Sequence, residues 1–250
     1  MPSNKPKKIR IDQLLVDKGL APSRTRAQAL VLAGQVLVEE HRVEKSSQSF
    51  FPEAHIRLKG QDHPFVGRGG VKLSDALDKF GVVIEDKICL DIGASTGGFT
   101  DCLLQNAAKR VYAFDSGTLQ LHERLRRDER VIFRENFNVR FLQASDLPEA
   151  IDLIVVDVSF ISLKLIIPPL LQSVRGSWEL LALIKPQFEA QRGQVGRGGI
   201  IKDELLQQQI VSGLVQFFQD CPLEVVGTIP SVIKGEGGNQ EYFIHARKPL

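Results

Sequence analysis

Apolar positions change their spacing along this chain, and the changes mark its elements. From Ile9 onward Ile11, Leu14, Leu15 and Leu20 recur at helical spacing, which predicts a short helix ending near Gly19. Pro22-Ser23 opens a second helix, with Ser23 as its cap and Ala27, Ala29, Leu30 and Leu32 on its apolar side, and Gly34 stops it. Residues 35–38 and 42–44 read as two short strands around a turn, and 55–58 as a third. Gly60, Gly67, Gly69 and Gly70, with Pro64, then predict a flexible linker leading into a helix at 71–80.

Beyond that helix the pattern alternates. Strands are predicted at 88–92, 111–115, 131–134, 153–157, 179–184, 223–228 and 241–247, and helices at 98–107, 119–127, 162–174 and 203–219. Such alternation implies an α/β, doubly wound sheet. Residues 229–240 join the last two strands without a helix, so those strands pair antiparallel and give a mostly parallel sheet one reversed member near an edge. The organisation is therefore a small α+β domain at 1–60, a linker at 61–70 and a large domain at 71–250.

Charge sharpens this division. Residues 1–60 carry 11 Lys/Arg against 6 Asp/Glu, whereas the remaining residues carry 21 against 24. A basic front ahead of a near-neutral body points to a polyanion met through the front, a solvated charged face being the alternative. Three cysteines without a CxxC pair or a His/Cys cluster indicate neither a disulfide framework nor a metal site. The lysine-rich first eight residues read as disordered, and no hydrophobic signal core or spanning run follows them, so a cytoplasmic, membrane-free protein is expected.

The candidate chemistry begins at Leu90-Asp91-Ile92-Gly93-Ala94-Ser95-Thr96-Gly97-Gly98-Phe99-Thr100. A strand, a glycine turn and a helix start let backbone N–H groups approach a ligand closely, which makes Asp91, Gly93, Ala94, Ser95, Gly97, Gly98 and Phe99 cofactor-binding candidates. Asp115 closes the next strand, where a carboxylate can accept from the ribose hydroxyls of a nucleoside cofactor. Such turns also occur in α/β proteins that bind nothing there. Asp157 and Lys185 end two further strands and Glu241 starts the reversed one, so all three lie on the ligand face of the sheet, and Lys72 can join them from the helix after the linker. Singly each is an ordinary cap or surface charge. As a set, two lysines and two acids beside a cofactor turn are costly to desolvate unless they do chemistry.

Two resemblances give these residues roles. Ile11-Asp12-Gln13-Leu14-Leu15-Val16, Ser23-Arg24-Thr25-Arg26-Ala27-Gln28-Ala29-Leu30 and Ala33-Gly34-Gln35-Val36-Leu37-Val38 resemble the RNA-binding domain shared by a small-subunit ribosomal protein, pseudouridine synthases and tyrosyl-tRNA synthetases. That resemblance implies that Arg24 and Arg26 meet RNA phosphate. Glu39-Glu40-His41 departs from the Asn/Asp-Gly hairpin usual there, and two acids at a turn tip would repel phosphate.

Over nearly the whole chain the sequence also resembles the TlyA family of hemolysin-named bacterial rRNA 2′-O-methyltransferases. The motifs are Arg68-Gly69-Gly70-Val71-Lys72-Leu73, the glycine turn, Gly117-Thr118-Leu119-Gln120-Leu121-His122, Asn138-Val139-Arg140, Asp157-Val158-Ser159-Phe160-Ile161-Ser162, Leu183-Ile184-Lys185-Pro186-Gln187-Phe188-Glu189 and Gly238-Asn239-Gln240-Glu241-Tyr242. The reversed strand agrees with the Rossmann-like sheet of S-adenosylmethionine-dependent methyltransferases.

Lys72, Asp157, Lys185 and Glu241 match the catalytic Lys-Asp-Lys-Glu tetrad of the wider FtsJ-like enzymes. The resemblance implies S-adenosyl-L-methionine as cofactor, ribosomal RNA or ribosomal subunits as partner and cytidine as target; the cofactor's sulfonium supplies the leaving group, so no metal is expected, and no obligate protein partner is evident in the sequence. Lys185 is then the candidate to take the proton of an attacking ribose 2′-hydroxyl, with Asp157 and Glu241 orienting the amines; burial and the neighbouring cation Lys72 would favour the neutral amine this needs. Residues 187–199, with Arg192 and Arg197, read as a mobile loop over the site or as a plain connection. A membrane-active hemolysin and a catalytically silent RNA-binding protein are the competing readings, and the missing spanning segment and the full tetrad argue against them.

Overall fold

The computed structural model describes residues 8–249 apart from 22, 59–62, 192, 197 and 236, so the predicted disorder at the start concerns residues almost wholly outside the described ones. The chain forms two compact units, Met1–Pro64 and Phe65–Leu250.

In the first unit, β1 (Ile9–Arg10) leads directly into α1 (Ile11–Asp17), and α2 (Arg24–Leu32) packs against α1. Strands β2 (Val36–Val38), β3 (His41–Arg42), β4 (Ser49–Phe50) and β5 (Ile56–Leu58) follow. They make a three-stranded sheet in the order β3-β2-β5, while β4 pairs with β1. Ile11, Leu14, Leu15, Ala27, Val31 and Val36 fill the core, as their helical and alternating spacing requires. Ser23 caps α2 as expected, its Oγ accepting from the Arg26 N–H at 3.2 Å. The β2–β3 turn consists of Glu39 and Glu40 alone, both at positive φ (48° and 63°), the backbone of a two-residue hairpin that asparagine and glycine usually supply. Two contacts offset the strain: the His55 N–H donates to Glu39 Oε1 at 2.9 Å, and Arg57 pairs with Glu40 at 2.8 Å. The turn therefore displaces the strand predicted at 42–44 to His41–Arg42. The β1–β4 pairing was not predicted, because two-residue strands carry no period.

The second unit contains α3 (Gly69–Phe80), β6 (Ile88–Ile92), α4 (Gly98–Gln105), β7 (Arg110–Phe114), α5 (Glu123–Arg126), β8 (Val131–Arg134) and β9 (Leu153–Val156). Then come α6 (Ile167–Ser173), β10 (Trp178–Ile184), α7 (Pro186–Glu189), α8 (Glu204–Asp220), β11 (Glu224–Pro230) and β12 (Tyr242–Lys248). The seven-stranded sheet runs β11-β12-β10-β9-β6-β7-β8. Neighbours from β10 to β8 pair parallel, and β12 is antiparallel to both β10 and β11, which is the reversed strand expected from the helix-free connection. Successive residues of one strand feed opposite cores: Leu90 and Ile154 join Leu214 and Phe218 of α8, while Cys89 and Val155 join Leu73 and Leu77 of α3. Burial on both faces explains the continuous apolar runs of the central strands.

Three predicted elements differ. The helix expected at 119–127 shrinks to Glu123–Arg126, because Glu135 Oε1 accepts from the N–H groups of Gln120 (2.9 Å) and Leu121 (3.3 Å) and Leu119 sits at φ 54°. The helix expected at 162–174 begins with a 3₁₀ turn at Leu163–Leu165, and Pro168 and Pro169 lie in the first turn of α6, where a missing N–H is harmless. Residues 65–70 are not a free linker. Phe65 and Val66 pack on the Leu73 core, the Val66 N–H donates to Asp101 Oδ2 at 2.8 Å, and Gly67 to Gly70 lie directly on Gly98 of α4. Residues 61 and 62 of that predicted linker lie outside the described residues.

Candidate active site

The carboxyl ends of β6, β7, β9 and β10 all meet at one edge of the sheet. After β6 the chain turns through Gly93 (φ 85°) and Gly97 (φ 96°) into α4. A side chain at Gly93 would strike the main-chain carbonyl of Asp157, and one at Gly97 would strike Leu125, so both positions demand glycine for space as well as conformation. Ser95 lies exposed between them at φ 48°, its N–H donating to Asp115 Oδ2 at 2.8 Å, while the Gly117 N–H donates to Asp115 Oδ1 at 2.6 Å. Asp115 thus fixes both loops that frame the turn and retains unused lone pairs on each oxygen.

Asp91 is fully buried. Its Oδ2 accepts from the Thr100 hydroxyl at 2.6 Å and its Oδ1 has no partner among the described residues. Burial chiefly, with the nearby charges of Asp157 and Asp115, pushes its pKa up to about 7. An orphaned buried carboxyl oxygen, two glycines pressed against neighbours and a strand-end aspartate together form a cradle suited to a cationic nucleoside ligand. Not every sequence candidate faces it. The Phe99 ring is 3% exposed and stacks on Phe243, which leaves only its backbone N–H for a ligand. Gly98 lies on the segment 67–70, where a Cβ would come within 3.0 Å of the Gly70 nitrogen, so its smallness serves packing. Ala94 is buried behind the turn.

The four charged candidates form two pairs beside this turn. Lys72 Nζ lies 2.6 Å from Glu241 Oε2, both side chains nearly buried. Lys185 Nζ lies 2.6 Å from Asp157 Oδ1 and donates to Ser159 Oγ at 2.9 Å. Gly69, one helical turn before Lys72, would bring a Cβ within 3.8 Å of Asp157 Oδ2, so the first turn of α3 joins the two pairs. Asp157 in turn touches Gly93 through its carbonyl, which connects the charged group to the glycine turn.

Residues outside the predicted set complete the edge. Ser159 anchors Lys185, and Phe160, at φ 64° and 90% exposed, holds its ring 4.9 Å from that of Phe188. An exposed phenyl on a strained backbone is a common device of functional loops. Glu189 accepts from the Ser162 hydroxyl (2.6 Å) and the Leu163 N–H (2.7 Å), tying α7 to the loop after β9, and burial raises its pKa. Asn239 holds the far end of the 187–199 region, its Oδ1 accepting from the Ile201 N–H and its Nδ2 donating to the Gly199 carbonyl. Arg192 and Arg197 lie outside the described residues. Apolar periodicity carries no trace of such contacts; only the motif strings pointed at these segments.

In the first unit Arg24 is about half exposed and donates to the buried Asp12 at 3.0 Å, alongside Arg10 (3.0 Å) and Gln28 (2.9 Å). The two guanidiniums hold the Asp12 carboxyl well below the usual carboxylate range, with the hydrogen bond from Arg10 the largest cause. Arg26 is exposed on the same first turn of α2. Arg24 therefore combines an internal contact with an outward edge, and Arg10, unnoticed in the sequence, extends the basic face.

Comparison with known proteins agrees with this layout. Residues 65–248 match the FtsJ-like methyltransferase family and residues 9–49 match the S4 domain. Hemolysin A of Brachyspira hyodysenteriae is 42% identical over 95% of this chain and 99% of its own. The 16S/23S rRNA (cytidine-2′-O)-methyltransferase TlyA of Mycobacterium tuberculosis is 37% identical over 96% of this chain and 90% of its own. A solved hemolysin-named structure from Streptococcus thermophilus superposes with a TM-score of 0.76 at 40% identity, covering 98% of this chain and 90% of that one. With an S4 domain at its front and a methyltransferase sheet behind it, the chain belongs to the FtsJ-like methyltransferase family, whose methyl donor is S-adenosylmethionine.

Proposed function

We propose that the protein methylates the ribose 2′-hydroxyl of cytidine in ribosomal RNA, acting on RNA held within a ribosomal subunit. The observation that carries the reading is the pair of lysine–carboxylate contacts set against the glycine turn: Lys185 with Asp157, and Lys72 with Glu241. A TlyA relative at 37% identity is named for this reaction. Gly93, Gly97, Asp91 and Asp115 hold the cofactor, which when bound supplies a methyl group made electrophilic by its sulfonium.

A ribose hydroxyl is a poor nucleophile, so the chain must position it and remove its proton. Lys185 Nζ is the base. Asp157 and Ser159 fix that nitrogen, and Glu241 holds Lys72, on the turn of α3 that approaches Asp157, as a cation that stabilises the developing alkoxide. Phe160, the chain neighbour of Ser159, offers an exposed ring for the nucleotide being modified. The S4 domain contributes RNA affinity through Arg24 and Arg26.

Two experiments test this. Ribosomal subunits from cells lacking the gene, incubated with the protein and labelled S-adenosylmethionine, should yield 2′-O-methylcytidine on nucleoside analysis; label on a base, or none, would reject the reading. Lys185→Ala should lower kcat about 10²-fold or more with little change in cofactor or RNA affinity. Lys185→Arg should not rescue, because a guanidinium cannot give up its proton at working pH. Near-full activity of the Arg variant would make Lys185 a fixed charge rather than the base.

A further inference from the structure

A cavity lies at the same end of the sheet, on the opposite face of β12 from the charged pairs. It has a volume of about 490 Å³ and opens between the start of α8 and the loop preceding β12. Glu241 and Tyr242 are chain neighbours whose side chains leave opposite faces of the sheet. Glu241 reaches Lys72 of α3, while the Tyr242 hydroxyl reaches Gln207 of α8 at 2.9 Å and lines this cavity. Only the thickness of one strand separates the two sites.

The cavity is held in shape by buried polar contacts. Gln207, 7% exposed, donates from Nε2 to the Ile201 carbonyl at 2.7 Å and accepts from Tyr242. Asn239, 4% exposed, accepts from the Ile201 N–H at 2.9 Å and donates to the Gly199 carbonyl at 2.8 Å. Two buried amides spent on bracing one loop give a wall that needs no reorganisation when a ligand arrives. The lining mixes apolar surface from Ile200, Ile201 and Tyr242 with the amides of Gln208 and Gln240. Its rim carries Lys202 and Lys234, contributed by two separate segments, both exposed and neither in an ion pair among the described residues. Among the described lining residues Glu204, in the first turn of α8, is the one acid, set against Lys202 and Lys234.

We propose that this cavity is a subsite for a single-stranded nucleotide flanking the methylated one, its phosphate held by Lys202 and Lys234. The inference rests on the RNA-methylating reading above and deepens it. Apolar surface for a base, amides for its edge and paired cations for the phosphate are the recognition chemistry of unstacked RNA. A strand passing over the start of β12 meets both sites in succession. Specificity then comes partly from a neighbour of the target rather than from the target alone.

The test uses the full-length protein with the double substitution Lys202→Ala/Lys234→Ala. Binding of a fluorescein-labelled oligocytidylate is followed by anisotropy across a salt series, alongside methylation of ribosomal subunits. The log–log salt slope of the variant should be shallower by about 0.7, the value for the loss of one phosphate contact to a single strand. KM for the subunit should rise about tenfold or more while kcat stays within twofold and cofactor affinity is unchanged. Lys202→Arg/Lys234→Arg should restore both readouts. An unchanged salt slope in a folded variant overturns the subsite. If the wild type transfers no methyl to RNA while the oligonucleotide slope still flattens in the variant, the proposed function fails and the nucleotide subsite stands.

Discussion

Two aspartates, Asp12 in the first unit and Asp91 in the second, are each fully buried, yet their surroundings treat them in opposite ways. Asp12 receives two guanidiniums and an amide, and its carboxyl is held ionised. Asp91 is hydrogen-bonded by Thr100, keeps one oxygen without a partner among the described residues and lies near two more carboxylates, and burial chiefly lifts its pKa to about 7. A buried charge that is fully answered organises the fold; it clamps α1, α2 and β1 together. A buried acid left half answered costs stability and is retained where a ligand can complete it. The comparison separates stability devices from candidate chemistry more sharply than residue type or position in the motif does.

The largest expected effect concerns pH. Because the folded pKa of Asp91 is raised, the unfolded chain releases its proton first, and stability falls as pH rises from about 4 to about 7. Below that window both states are protonated and no penalty exists; above it the full penalty is present. The rise from about 4 to about 7 amounts to ~4 kcal/mol. Asp91→Asn should remove this dependence: urea unfolding of wild type and variant at pH 5, 7 and 8 should show the difference in stability moving in the variant's favour as pH rises. A constant difference would mean that Asp91 does not titrate in this range.

Asp12 should behave with the opposite sign and somewhat less force. Its lowered pKa contributes stability above about pH 4, the unfolded value, and loses it as pH falls below that. Asp12→Ala removes the acceptor of four hydrogen bonds and leaves Arg10 and Arg24 side by side, both about half exposed and able to find water. The expected cost is about 3 kcal/mol, near the lower end for breaking a buried pair. Hydrogen exchange should show faster amides in α1 and α2 while those of β6 to β10 keep their protection. Uniform loss of protection in both units would show that they unfold as one.

How far the sequence foretold these features depends on their physical origin. The alternating strands and helices of the second unit, and its reversed last strand, follow from burial on both sheet faces, and burial writes itself into apolar spacing. The turn at Glu39 and Glu40 was legible only as an anomaly, since its positive φ angles are held by His55 and Arg57 far along the chain. Glu135 shortened a predicted helix by bonding to backbone 15 residues earlier, a contact that propensity cannot register. Of the candidate site, the charged set was readable because strand ends converge, and Lys72, Asp157, Lys185 and Glu241 do stand together as two pairs. Ser159, Thr100 and Asn239 were not readable in that way, because a hydroxyl or amide has no pattern until its partner is in place. Phe99 shows the converse: inside the motif, it belongs to the core.

The smallest effect sharpens the comparison within one helix turn. Arg24 is bound to Asp12 and also presents an outward edge, whereas the Arg26 side chain has no ion-pair partner among the described residues. If the first unit holds RNA by phosphate contacts, each arginine should contribute about 0.7 to 0.9 to the slope of log affinity against log salt. Only Arg24 should also contribute to stability, by about 1–2 kcal/mol for a charged hydrogen bond to a buried carboxylate. Arg26→Ala should therefore flatten the salt dependence of RNA binding and leave urea unfolding unchanged within about 0.5 kcal/mol. Arg24→Ala should do both. Equal loss of stability in the two variants would place Arg26 in the same clamp as Arg24. An unaltered salt slope in both would move the RNA contact to another face of the unit and leave Asp12 and its arginines as a purely internal device.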